Sequence, residues 1–254
     1  MKIGNWKLKI VAVIFIIGGF IALLNTSLFS TGTASAAWYS TGGVWTYRKQ
    51  IAVDNNKVPS AQNNFPMLVS VTDSDLKFTD FGGNVASSTG GDILFTNADG
   101  TTMLNYEIEK YASTTGELIA WVQVPFLSST STTNLYMYYG NDSAPTPAAS
   151  VAQNVWDSNY KAVYHFGDGT TLDLNDSTSN NNDGTAYGGA HATTTAAKIG
   201  GGIGFDGNGD YVRISHSDSL NIAGSLTLSV WAKFSYDTVA TRMLITKPAG
   251  ANGG

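Results

Sequence analysis

From Trp45 onward apolar and polar residues alternate with period two, the repeat of a strand that buries one face. Ile51 with Val53, Phe65 to Val71, Ile93 to Phe95, Tyr106 with Ile108, Leu118 to Val124 and Leu135 to Tyr139 are the predicted strands of a first region. Turn-forming groups separate them: Asp54-Asn-Asn56, Gly82-Gly83, Gly90-Gly91, Asn97-Ala-Asp-Gly100 and Ser113-Thr-Thr-Gly116. Helical periodicity is absent apart from one short turn expected at Asp73 to Phe78, with Asp73 or Ser74 as its cap. From Asp142 to Val155 the alternation lapses until Val151, and Pro145 and Pro147 stiffen the chain, so this stretch reads as a linker. Strand-like runs resume at Lys161 to Phe166, Ile203 to Phe205, Tyr211 to Ile214, Leu226 to Phe234 and Met243 to Ile245, with long polar loops between them, especially Asp173 to Ala197. The closure this pattern favours is all-β, as two antiparallel β-sandwich domains of jelly-roll type.

The first residues follow a different rule. Lys2, Lys7 and Lys9 give a positive start, Ile10 to Leu24 is an unbroken apolar run, and Ala34 and Ala36 are the small pair that a signal peptidase reads. Residues 1–36 are therefore expected to be a signal peptide, with the mature chain starting at Ala37 or Trp38. The alternative is an uncleaved anchor, and that is the route by which a membrane would become a partner. As a helix the apolar run reaches about 22 Å against about 30 Å of hydrocarbon, which favours cleavage. The expected organisation is then 1–36 signal peptide, 38–141 first β-sandwich, 142–155 linker and 156–254 second domain, in an extracellular or cell-envelope location.

Composition narrows the function. Of the 254 residues 43% are hydrophobic and only 13% charged, the latter about half the usual share of soluble domains. A net charge of -5 argues against nucleic acid, because phosphate binding needs clustered cationic side chains. The absence of cysteine excludes disulfides, thiolate nucleophiles and cysteine-ligated metal centres.

The search for catalytic groups is negative. Glu107, Glu109 and Glu117 are the only glutamates. Glu107 and Glu109 flank Ile108 on a strand-like run and read as a solvated edge rather than as a facing pair for glycoside hydrolysis. No Gly-x-Ser-x-Gly elbow, His-Glu-x-x-His pair or Walker loop occurs. Gly202-Ile-Gly204-Phe-Asp-Gly207 fits a dinucleotide fingerprint, but Asn208-Gly-Asp210 follows where a helix would have to start, so a tight turn is the better reading. His165 reads as a wall residue, and His191 and His216 lie in polar loops. No catalytic or cofactor-binding residue is assigned, and no enzyme activity is expected. Calcium is the one inorganic partner with support: Asp206, Asn208 and Asp210 present oxygens at alternate positions, and Asp176 with the loop Ser179 to Gly184 adds further hard donors. The competing reading of Asp176, Asp206 and Asp210 is ordinary turn chemistry.

Two resemblances cover most of the chain. Residues 45–141 resemble an uncharacterised prokaryotic surface-domain family, a domain of unknown function, through Trp45-Thr-Tyr-Arg-Lys49, Phe65-Pro-Met-Leu-Val69, Asp92-Ile-Leu-Phe-Thr96, Ala98-Asp-Gly-Thr-Thr102, Tyr106-Glu-Ile-Glu109, Trp121-Val-Gln-Val-Pro125 and Tyr136-Met-Tyr-Tyr-Gly-Asn141. Residues 160–247 resemble the laminin-G-like, concanavalin A-type lectin family through Ala162-Val-Tyr-His-Phe166, Asp176-Ser177, Asn182-Asp-Gly-Thr185, Phe205 to Val212 and Ser225 to Trp231. The resemblances imply an exported envelope protein, with the first domain type preceding the second. A laminin-G-like jelly roll takes about a dozen strands and about five are legible here, so the second domain is expected to be incomplete.

Three functional readings follow. The leading one is a non-catalytic binding or adhesion module whose partner is a glycan or other cell-surface polymer, met by aromatic faces and neutral hydrogen-bonding side chains. The others are a structural spacer in a large surface protein and an accessory region of an exported hydrolase. Trp121, Tyr136, Tyr138, Phe205 and Trp231 have strand spacing and are expected in the core before any binding face.

Overall fold

The computed structural model describes residues 11–12, 39–145, 149–167, 170–192, 197–234 and 243–247. Almost all its regular structure is strand, paired antiparallel throughout, so the chain is all-β. The strands are β1 (Val11–Ala12), β2 (Tyr47–Val53), β3 (Gln62–Thr72), β4 (Leu94–Asn97), β5 (Tyr106–Ala112), β6 (Glu117–Leu127), β7 (Thr133–Tyr139), β8 (Gly184–Tyr187), β9 (His191–Ala192), β10 (Ile203–Gly204), β11 (Tyr211–Ile214) and β12 (Val230–Trp231). One short helix, α1, spans Ala149–Gln153.

The chain divides into two compact units. The first to be described comprises 16–162 with 176–182, and holds two three-stranded sheets, ordered β2-β7-β4 and β3-β6-β5. Alternation along each strand sends one set of side chains to a shared core: Ile51 and Val53, Met67, Val69 and Val71, Phe95, Tyr106, Leu118, Ala120, Val122 and Val124, Leu135 and Met137. Cross-strand register keeps these residues level, as in Ile51 opposite Leu135 and Val69 opposite Ala120. The expected turn at Asp73 is a single turn of 3-10 helix, Ser74–Leu76. The Asp73 side chain accepts the Asp75 N–H, and Leu76 is fully buried beneath.

A buried carboxylate ties the loops to this core. Asp92 is 1% exposed. Its Oδ1 accepts the Ser87 N–H at 2.9 Å, and its Oδ2 accepts those of Ala86 at 2.8 Å, Gly140 at 2.9 Å and Asn141 at 3.3 Å. Four backbone donors that have no ladder partner are thereby satisfied by one side chain.

This unit does not stop at residue 141. It runs on to Ala162 and takes in Asp176 to Asn182, so the segment expected as a linker and the start of the expected second domain belong with the two sheets. Part of the linker is helical, and Val151 packs against the core.

The other unit comprises 1–15, 163–175 and 183–254. Its described strands form three two-stranded pairs, β8 with β11, β9 with β10 and β1 with β12. Tyr211–Ile214 and Ile203–Gly204 are strands as the pattern predicts. Among the described residues Lys161 to Phe166, Met243 to Ile245 and most of Leu226 to Phe234 are not strands; Tyr164 makes a single bridge, and Phe166 leaves extended backbone with φ of 61°. Conversely, β8 and β9 arise within the stretch expected to be loop. Val163, Tyr164, Phe166, Ile199 and Ile203 are buried, whereas Leu226, Leu228 and Phe234 are more than half exposed.

Apart from Val11–Ala12, whose backbone pairs with Val230–Trp231, the expected signal peptide lies outside the described residues. Among the described residues no helix is long and apolar enough to cross a membrane.

Candidate functional site

The outward face of the β3-β6-β5 sheet is polar in part and covered. Leu68, Ile119 and Trp121 point away from the shared core and are nevertheless buried. Trp156 lies against Trp121 with ring centroids 5.3 Å apart, and Tyr160 meets Trp156 edge-on at 5.2 Å. The two glutamates expected at a solvated edge sit beneath these rings. Glu107 Oε2 accepts the Trp156 indole N–H at 2.8 Å and its Oε1 accepts the Ser177 hydroxyl at 2.6 Å. Glu109 Oε2 accepts the Trp121 indole N–H at 2.8 Å. The solvated-edge expectation is thus corrected: beside a register shift between Ile108 and Lys110, both carboxylates accept from indoles, Glu107 from the returning chain and Glu109 from β6. Their partners are structural donors, and the cluster works as a clamp for the segments 155–162 and 176–182.

Asp176 completes that clamp. It is 5% exposed, and its two oxygens accept the Thr178 N–H at 3.0 Å, the Thr178 hydroxyl at 2.9 Å and the Asn182 N–H at 2.9 Å. Asn180 and Asn182 then donate to the carbonyls of Tyr160 and Lys161. The Asn-rich loop is accordingly a closed hydrogen-bonded turn.

In the other unit β8 and β11 form a ribbon that presents two aromatic rings. Tyr187 and Tyr211 are directly paired across the strands, 40% and 51% exposed, with ring centroids 4.8 Å apart and planes within 6°. The turn beside them carries Asp206, Asn208 and Asp210, and His191 opens β9. Asp206 Oδ1 accepts the Asn208 N–H at 2.7 Å, and Asp210 accepts the N–H groups of Gly189 and Asp206. Burial acts to raise the Asp210 carboxyl, but these backbone donors outweigh it and hold the group below the ordinary carboxylate range. Gly188 permits the close approach: its φ is 70°, and a Cβ there would stand 2.5 Å from Asp210 Oδ1. His191 Nδ1 is 2.6 Å from the Gly189 carbonyl.

Of the three carboxylates singled out for calcium, Asp206 and Asp210 share one turn and Asp176 closes the loop of the unit with the two sheets. Each is engaged by hydrogen-bond donors of its own loop, and among the described residues no group of three or more His, Asp or Glu side chains is arranged to hold a metal ion. The aromatic expectations divide. Trp121 and Tyr138 are buried, Tyr136 and Phe205 are half-buried, and Trp231 is 43% exposed with Lys198 over its ring. The Tyr187–Tyr211 pair was not singled out by sequence; Tyr187 sits in a run of small and polar residues that masks a four-residue strand.

These features define an all-β protein with a covered, clamped sheet in one unit and an aromatic ribbon in the other. A protein-family model described as Domain of unknown function (DUF2341) matches residues 89–182. The match ends where the two-sheet unit ends, at Asn182. No curated protein and no solved structure matches the chain.

Proposed function

We propose that this chain is an exported, non-catalytic binding module of the cell envelope or its surroundings, with carbohydrate as the ligand class. The observation that carries the reading is the exposed Tyr187–Tyr211 pair, flanked by Asn208, Asp206 and His191. A sugar ring stacks its C–H face on an aromatic plane while short polar side chains take its hydroxyls, and a neutral surface of low charge density suits an uncharged polymer. The laminin-G-like resemblance of residues 160–247 and the positive start followed by an apolar run at Lys2 to Leu24 support the lectin-like and exported parts of this reading.

A glycan array followed by titration with the retained oligosaccharides tests it. Binding by the full chain, weakened at least about tenfold (~1.4 kcal/mol) in Tyr187→Ala and Tyr211→Ala, is the expected result. Failure of the full chain to retain any glycan overturns it in favour of the structural-spacer reading. Binding that both substitutions leave intact removes the ribbon from the site.

A further inference from the structure

Lys49 occupies an inward position on β2, in step with Ile51 and Val53, and its side chain is 4% exposed. Its cross-strand partner Met137 is fully buried. The amine is hydrogen-bonded to Asp73 Oδ2 and stands 2.9 Å from Asp75 Oδ2. Both acids belong to the turn that follows β3, so an amine from one sheet meets two carboxyls borne by the other. The Asp73 carboxyl is fixed: Oδ1 accepts the Asp75 N–H at 2.9 Å, and the backbone N–H of Asp73 donates to the Gly116 carbonyl at 3.2 Å.

We propose that Lys49 and Asp73 condense to an isopeptide bond that staples the two sheets, with Asp75 relaying the proton. Transfer of a proton from the Lys49 ammonium to the Asp73 carboxylate along their hydrogen bond gives a neutral amine and a neutral carboxylic acid. The Nζ lone pair then attacks Asp73 Cγ, forming the C–N bond. Asp75 takes a proton from Nζ and delivers one to the departing hydroxyl, so the C–O bond breaks with release of one water. Amine and acid become amide and water; no oxidant, reductant or cofactor enters. Fixed contact with an amine that is itself shielded from solvent replaces the activation that a free amine and acid would require. A carboxyl beyond the one needed for a simple ion pair, set on the same amine, is what the relay calls for. In a chain without cysteine, this bond is a covalent tie between the sheets that ordinary side chains can make.

Peptide mass analysis of the full chain is the test. The expected result is a branched tryptic species joining the Lys49 and Asp73 peptides, lighter than their sum by one water, with the unlinked peptides depleted. Recovery of the two peptides unlinked and at full mass overturns the proposal without recourse to any variant. Asp75→Asn, checked for native circular dichroism, is expected to leave the pair unlinked. Complete linkage in that variant would remove Asp75 from the reaction.

Discussion

Replacing Asp92 by asparagine isolates the worth of a single buried acceptor. The side chain keeps its size, but one carboxylate oxygen becomes an NH2 that cannot accept. If the remaining oxygen keeps Ala86, Gly140 and Asn141, the amide nitrogen faces the Ser87 N–H, donor against donor. An orphaned buried donor costs about 1–3 kcal/mol, and the three retained bonds lose the assistance of the charge, so the expected loss is about 2–4 kcal/mol. Asp92→Ala strands all four donors. Its expected loss is about 4 kcal/mol or more, a large part of a typical stability of about 5–15 kcal/mol. Urea unfolding followed by the fluorescence of the buried Trp45, Trp121 and Trp156 gives both values, with the slope showing whether the unfolded state has changed. A loss below about 1 kcal/mol for Asp92→Asn would refute the reasoning, because it would mean that water already shares these donors.

Trp156→Phe keeps most of the ring packing but removes the N–H to Glu107, and should cost about 1–3 kcal/mol, while Trp156→Ala adds a cavity and should cost about 3–5 kcal/mol; equal midpoints for the two variants in chemical unfolding would show that the clamp is held by the hydrogen bond alone. Gly116→Ala should lower the melting temperature, since φ is 72° and the new Cβ would stand 1.9 Å from the Asp73 carbonyl oxygen; an unchanged melting curve would show that the 73–76 turn shifts freely. Burial, joined for Tyr160 by the Asp157 charge, pushes the phenol of Tyr160 up to about 12 and those of Tyr106, Tyr111 and Tyr139 higher still. Unfolded phenols ionise near pH 10, so the stability these groups contribute is complete below about pH 10 and is lost as the pH climbs toward and past about 12. Phenolate absorbance should therefore rise late for these residues and together with the loss of circular dichroism, and early ionisation of all tyrosines in a folded chain would contradict it.

Period-two alternation was sufficient to place β2, β3, β6 and β7 and their inward residues, because one buried face leaves its mark on every second position. The Asp73 turn was legible for a similarly local reason, a capping carboxylate and the N–H that donates to it two residues apart. What local pattern cannot hold is a partner chosen from far along the chain. Glu107 and Glu109 look like any polar strand face until Trp156 returns to donate to Glu107 and Trp121 of the neighbouring strand donates to Glu109. The end of the two-sheet unit at Asn182 rather than Asn141 has the same origin, since packing of Trp156 on Trp121 is invisible in spacing. Failures in the other direction share that cause: Leu226 to Phe234 alternates like a strand, yet only Val230–Trp231 pairs, because a strand is defined by its neighbour as much as by its own residues. Sequence alone thus determined the fold class and the inward faces of the main strands. Tertiary structure decided which carboxylates are acceptors, which tyrosines are exposed together, and that Lys49 meets two acids across the sheets, since each depends on a contact between residues that no local rule brings together.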